Sequence, residues 1–167
     1  MPEFGKKGQI FSADALLGMI VFLFALSIVF YYFGQISERD RAFTESFEMK
    51  TIAFNSLSSL VETKGAPENW EFAEIQDAKS FGVSSERNVL SPEKLEKFGE
   101  FTLQDANSVR KTLGLGKYDF SFKISDFNGI EVFLASSSNS SKSVSFKTSR
   151  ISLYNGSPAI VSLEVFK

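Results

Sequence analysis

No charged residue occurs between Asp14 and Glu38. The run reads ALLGMIVFLFALSIVFYYFGQIS over residues 15–37. At about 1.5 Å of rise per residue, a helix over it is long enough to cross about 30 Å of hydrocarbon. A stretch this long and this apolar predicts an anchor, and the rest of the chain is read as attached to it. The run exceeds the apolar core of an ordinary cleaved secretory signal, and no small-x-small cleavage site follows it before Glu38. Its C-terminal part, with Phe30, Tyr31, Tyr32 and Phe33, is too bulky for that cleavage.

Beyond the run roughly 130 residues remain, enough for one domain with its own core. The formal net charge is −2 and there is no long basic run, which argues against a nucleic-acid partner. The chain has no cysteine and no histidine. That excludes disulfides, thiolate chemistry, most zinc sites and the usual general base at neutral pH. Neither a metal nor a cofactor is expected. The 19 phenylalanines exceed what the apolar run uses, and predict an aromatic core beyond it.

The flanks set the orientation. Lys6 and Lys7 precede the run, and Glu38-Arg39-Asp40-Arg41 follows it, so the positive-inside rule leans modestly to a cytoplasmic N-terminus. A short leader without a domain of its own is easily left in the cytoplasm. The expectation is a single-pass protein of the cell membrane with its C-terminal domain outside.

The helix is predicted to continue past the membrane. Ile36, Phe43, Phe47, Phe54, Leu57 and Val61 recur at helical spacing with charged residues between them. No proline interrupts before Pro67, and Gly65 fits a helix C-terminus near Thr63-Lys64-Gly65. Residues 66–88 read as loop and hold the only tryptophan, Trp70. Ser91-Pro92 is an N-cap followed by proline at the first helical position, with Leu95 and Phe98 on one face. Leu103, Ala106, Val109 and Leu113 then repeat at helical spacing before Gly114.

After Gly116 the period becomes two. Tyr118, Phe120, Phe122 and Ile124 alternate with polar residues, the pattern of a half-buried strand. Asn128-Gly129 and Asn155-Gly156 mark tight turns. Strands are expected over 118–125, 130–135, 144–154 and 159–166, with a serine-rich loop over 136–143. The fold class predicted is α+β. A long N-terminal transmembrane helix would pack its outer half, through Phe43, Phe47, Phe54 and Leu57, on a C-terminal four-stranded antiparallel sheet built as a meander. The expected division is a leader over 1–8, a transmembrane helix over 9–37 and an extracytoplasmic domain over 38–167.

The N-terminal sequence Lys6-Lys7-Gly8-Gln9-Ile10-Phe11-Ser12-Ala13-Asp14-Ala15-Leu16-Leu17 resembles the class III signal sequence of archaeal type IV pilin-like proteins. In that family a prepilin-type signal peptidase cuts after a Lys-Gly or Arg-Gly pair, before a glutamine, and the following helix stays in the mature protein. The resemblance implies a cut between Gly8 and Gln9. The family usually carries serine and glutamate at the third and fifth mature positions, whereas Ser12 and Asp14 fall at the fourth and sixth here. The resemblance also implies assembly with other pilin-like subunits. In such filaments a carboxylate near the N-terminus is thought to meet the amine of a neighbour, and Asp14 stands for it here. Asp14 equally fits a helix cap favoured by the positive helix end. The segments around Trp70, Ser91 and Gly114 are similar to archaeal membrane-anchored proteins, and that similarity implies no activity.

Several motifs have plainer explanations. Ser91-x-x-Lys94 matches the serine–lysine pair of penicillin-recognising enzymes, but the companion motifs are absent and Ser91 reads as an N-cap. Gly114-x-Gly116-Lys117 lacks the hydroxyl residue of a phosphate loop and precedes a strand, so it reads as a turn. Trp70 is expected to cover the core rather than stack on a sugar, and Lys142 to lie in a solvated loop. Asn139-Ser140-Ser141 and Asn155-Gly156-Ser157 match the N-glycosylation pattern. The function expected is a non-enzymatic, membrane-anchored pilin-like subunit of a filament or assembly. The alternative is a monomeric anchored extracytoplasmic binding module.

Overall fold

A computed structural model describes the backbone of residues 5–138 and 144–167, and the side chains of these except residues 5–13 and 36–42. The chain divides into two units, residues 1–45 and 46–167. Helix α1 spans Gly5–Glu62 and contributes to both. No break occurs at Gly34, because the helical pattern has no proline to remove a donor or clash with the preceding turn. In the first unit the stretch Asp14–Gln35 is exposed throughout and has a mean hydropathy of 2.4.

The second unit is α+β. The last turns of α1 enter it with Met49, Ala53, Leu57, Leu60 and Val61 buried. A short strand β1 (Gly65–Ala66) pairs with β2 (Ser80–Phe81). Between them lie two 3-10 turns, one of which carries Trp70. Strands β3 (Ser84–Glu86) and β4 (Val89–Leu90) form a small hairpin. Helices α2 (Pro92–Gln104) and α3 (Ala106–Thr112) follow. Four longer strands close the chain: β5 (Asp119–Ser125), β6 (Glu131–Ser136), β7 (Ser145–Tyr154) and β8 (Ser157–Phe166).

These four strands are the ones the alternation predicts, but the sheet is larger and wound differently. Among the described residues it has six strands, in the order β3-β4-β7-β8-β5-β6. It is mixed, because β4 runs parallel to β7 at Val89 and Leu153. The expected four-stranded antiparallel meander is therefore corrected. Each Asn-Gly turn makes its hairpin, β5–β6 and β7–β8, but β8 then pairs with β5 rather than β6 with β7. Turn chemistry sets a hairpin locally, whereas the order of hairpins depends on which pair of strands best completes one apolar face. Here that is β5 with β8. Phe120 faces Val165, Phe122 faces Leu163 and Ile124 faces Val161, and all six are fully buried.

The helices cover that face. The Phe98 ring of α2 meets Phe122 edge-on at 5.6 Å and Phe81 at 5.8 Å. Phe81 in turn meets Trp70 at 4.9 Å. Edge-to-face pairs at these separations add to the stabilisation from buried area. Trp70 is wholly buried, as a cover residue should be, and its Nε1 donates to the carbonyls of Lys64 and Gly82. Glycine is required at Gly65, where φ is +86° and a Cβ would lie 2.5 Å from the Trp70 ring.

The buried face of α1 is not the predicted one. Phe43 is exposed, Phe47 is 63% exposed and Phe54 is 54% exposed. The core takes Met49, Ala53, Ser56, Leu57 and Leu60, a stripe centred about 100° further round the helix. Only Leu57 belongs to both stripes, and Val61 of the predicted one is buried as well. The small residues Ala53 and Ser56 explain the choice: they let the helix approach closely, and the Ser56 hydroxyl donates to the Leu113 carbonyl at 2.9 Å. The second predicted helix also shifts. Asp105 separates α2 from α3, its carboxylate accepting from the N–H groups of Asn107 and Ser108 at 3.1 Å. Leu103 thus falls in the last turn of α2 and is exposed.

Tyr118 immediately precedes β5, with its ring buried and its hydroxyl donating to Glu48 Oε2 at 2.9 Å. Burial, and then this bond, push the Tyr118 phenol above its ordinary value of 10.0.

Two outcomes test this packing. Phe122→Ala should destabilise the protein by about 3–5 kcal/mol, read as a lowered thermal midpoint. The raised Tyr118 phenol favours the neutral folded form, so its contribution is complete below the unfolded-state value and is lost as pH rises through the folded-state value. Unfolding measured across the alkaline range should show wild type losing stability more steeply than Tyr118→Phe.

Candidate functional site

The candidate site read from the sequence is the apolar helix and the residues at its start. Gly8 and Gln9 lie in the backbone of α1, and their side chains are outside those described. Asp14 is exposed and opens the candidate membrane span Asp14–Gln35. The span has 22 residues, about 33 Å of helix, and is consistent with a single-pass membrane protein. Two of its polar side chains bond within the helix. Ser27 Oγ donates to the Leu23 carbonyl at 2.8 Å, and Gln35 Nε2 donates to the Tyr31 hydroxyl at 3.0 Å. Internal pairing of this kind is what an apolar medium demands.

Of the two glycosylation candidates, Asn139 lies outside the described residues. Asn155 sits at the tip of the β7–β8 hairpin with φ +49°, followed by Gly156 at φ +74°. Asn155 and Ser157 are both exposed. The hairpin turn needs positive φ at both central residues, which is why Asn-Gly occupies it.

The motif Ser91-x-x-Lys94 is structural. Ser91 Oγ accepts from the Lys94 backbone N–H at 3.4 Å, which is the N-cap bond, and donates to Glu93 Oε2 at 2.7 Å. That bond holds the Glu93 carboxyl below its ordinary value. The Lys94 side chain is buried and turns to other partners. Its Nζ donates to the carbonyls of Lys64 and Glu68 and lies 3.5 Å from Glu71 Oε2. Three ammonium protons therefore have three oxygens around them, and none is Ser91 Oγ. The glycine-rich turn is likewise a turn, with Gly114 and Gly116 at φ +72° and +59°.

Two ion clusters escaped the sequence reading. Glu62 at the end of α1 receives both Arg150 and Arg87, and Arg150 also donates to Ser58 Oγ and lies over the Phe54 ring at 4.9 Å. Arg110 pairs with Asp119 at 2.6 Å, and Ser137 donates to the same carboxylate. No local spacing marks these contacts, since most join residues far apart in sequence. Among the described residues, no group of three or more His, Cys, Asp or Glu residues could hold a metal ion.

The Lys94 contacts carry a prediction. Removing the ammonium leaves Glu71 and two carbonyls without their buried cation, so Lys94→Ala should cost about 3–5 kcal/mol. Ser91→Ala should cost about 1 kcal/mol, the value of an N-cap. Denaturant unfolding of the two variants separates these values, whereas a paired nucleophile and base would not predict that order.

No family model, no curated protein and no solved structure matches the chain.

Proposed function

We propose that this chain is a membrane-anchored, pilin-like structural subunit whose N-terminal apolar helix is both anchor and assembly element. The observation that carries the reading is the helix over Asp14–Gln35. It is apolar on every face, exposed along its whole length, and opened by a lone carboxylate. A carboxylate at the start of an apolar run is costly unless it is paired. The class III resemblance at Lys6-Lys7-Gly8-Gln9 supplies a partner for it. Cleavage between Gly8 and Gln9 by a prepilin-type signal peptidase creates a positive amine, which in an assembly meets Asp14 of a neighbour. The α+β unit is then held outside the cell membrane, with the N-terminus facing the cytoplasm, and serves as the exposed body of the subunit.

The experiment compares wild type, Asp14→Ala and a Gly8 variant that blocks cleavage, all as full chains in membranes. Both variants should stay in the membrane fraction, and both should lose most of the cross-linked higher species that wild type forms. Equal assembly of all three would overturn the reading in favour of a monomeric anchored binding module. N-terminal sequencing of the mature protein gives the cleavage site directly.

A further inference from the structure

Of the asparagines in the chain, only Asn128 and Asn155 precede a glycine. Glycine has no side chain to shield its backbone nitrogen, so this pair is the one in which that nitrogen most readily attacks the asparagine side chain. Both residues are exposed, and each lies in the turn of a hairpin. Exposure therefore does not distinguish them, but their hydrogen bonds do.

At the β5–β6 turn the Asp126 carboxylate holds Asn128 at both ends. It accepts from the Asn128 N–H at 2.9 Å, from Asn128 Nδ2 at 3.1 Å and from the Ile130 N–H at 2.8 Å. The Gly129 N–H donates to the Asp126 carbonyl at 3.1 Å. The attacking nitrogen and the departing amide are thus both engaged. The carboxylate beside them also opposes loss of a proton from the Gly129 nitrogen, since like charge disfavours a new anion. The β7–β8 turn has no such guard. Among the described residues, neither the Asn155 side chain nor the Gly156 N–H makes a hydrogen bond. Asn155 is held there at φ +49°, in the left-handed region that few residues with a side chain adopt.

We propose that Asn155 is a site of spontaneous backbone modification, deamidating through a cyclic imide, and that Asp126 protects Asn128 from the same reaction. The Gly156 nitrogen gives its proton to hydroxide and bonds to Asn155 Cγ. The Cγ–Nδ2 bond breaks, and the amide nitrogen takes a proton from water and leaves as ammonia. Water then adds to one of the two imide carbonyls and opens the ring to aspartate or isoaspartate. One water is consumed for each ammonia released, and nothing is oxidised or reduced. Either product adds a negative charge at the hairpin tip. Isoaspartate also inserts a backbone carbon into a two-residue turn whose strands are in register at Tyr154 and Ser157. The amide nitrogen that is lost is the atom an N-linked glycan would take, so the two fates of Asn155 exclude each other. This inference does not rest on the proposed function.

The test incubates the full-length chain in detergent at mildly alkaline pH. Aliquots are digested and read by mass spectrometry, with fragmentation to place each amide-to-acid change. Isoaspartate is counted separately by enzymatic methylation. In the folded protein Asn155 should convert about tenfold or more faster than Asn128, whose charge-assisted hydrogen bonds must first break. In denaturant the two rates should converge, because both sites are then plain Asn-Gly pairs. Asp126→Ala should speed Asn128 several-fold and leave Asn155 unchanged. The denaturant comparison needs no variant, so it holds even if Asp126→Ala unfolds the turn. The proposal is overturned if folded Asn155 converts no faster than Asn128, if denaturant leaves the difference intact, or if purified chain carries a glycan on Asn155 in place of the acid.

Discussion

The second unit is organised by the carbonyls in the last turn of α1 and just beyond it. A helix end leaves carbonyls without helical donors, and here they face the protein interior, where unpaired polar groups are costly. Each donor comes from later in the chain. The Leu60 carbonyl accepts from the Val83 N–H, and the Val61 carbonyl from the Asn88 N–H and the Ser84 hydroxyl. The Lys64 carbonyl accepts from the Trp70 indole and the Lys94 ammonium. One helix end thereby fixes the Trp70 turn, the β3–β4 hairpin and the first turn of α2. Trp70 in that turn, and Phe98 and Phe101 further along α2, are among the aromatic rings of the core.

That arrangement accounts for the extra strands. Once Val83 and Asn88 are bound to α1, β4 is delivered to the edge of β7, and the Leu153 N–H donates to the Asn88 carbonyl at 2.8 Å. The sheet becomes mixed because a long-range polar requirement positions β4, a two-residue strand too short to specify its own partner. The small hairpin also shortens and charges that edge of the sheet. The β6 edge has no comparable element over it among the described residues.

The candidate site was legible to the extent that it is linear. The uncharged run, the Lys-Gly-Gln motif, the cap role of Ser91 and the exposure of Asn155 all follow from composition or from neighbours within a few residues. The burial of Lys94 was not legible, because a lysine three residues into an amphipathic helix ordinarily faces water. Its partners Lys64, Glu68 and Glu71 come from a different segment. The free edge of β6 was not legible either, since an alternating pattern tells which face is buried and says nothing about lateral neighbours.

The sequence by itself determined the elements whose causes are local. Apolarity over residues 15–37 makes the helix, alternation makes β5 and β8, Asn-Gly makes the two hairpins, and Ser91-Pro92 starts α2. Tertiary structure decided which side of α1 is buried, the strand order and the parallel join. Two apolar stripes compete on α1 beyond the uncharged run, and periodicity cannot rank them. The stripe with Ala53 and Ser56 wins because close approach and a satisfied hydroxyl outweigh the larger area of Phe47 and Phe54. Strand order depends on matching whole faces across the sheet, as Phe122 does with Leu163, and such a match exists only once distant segments have met.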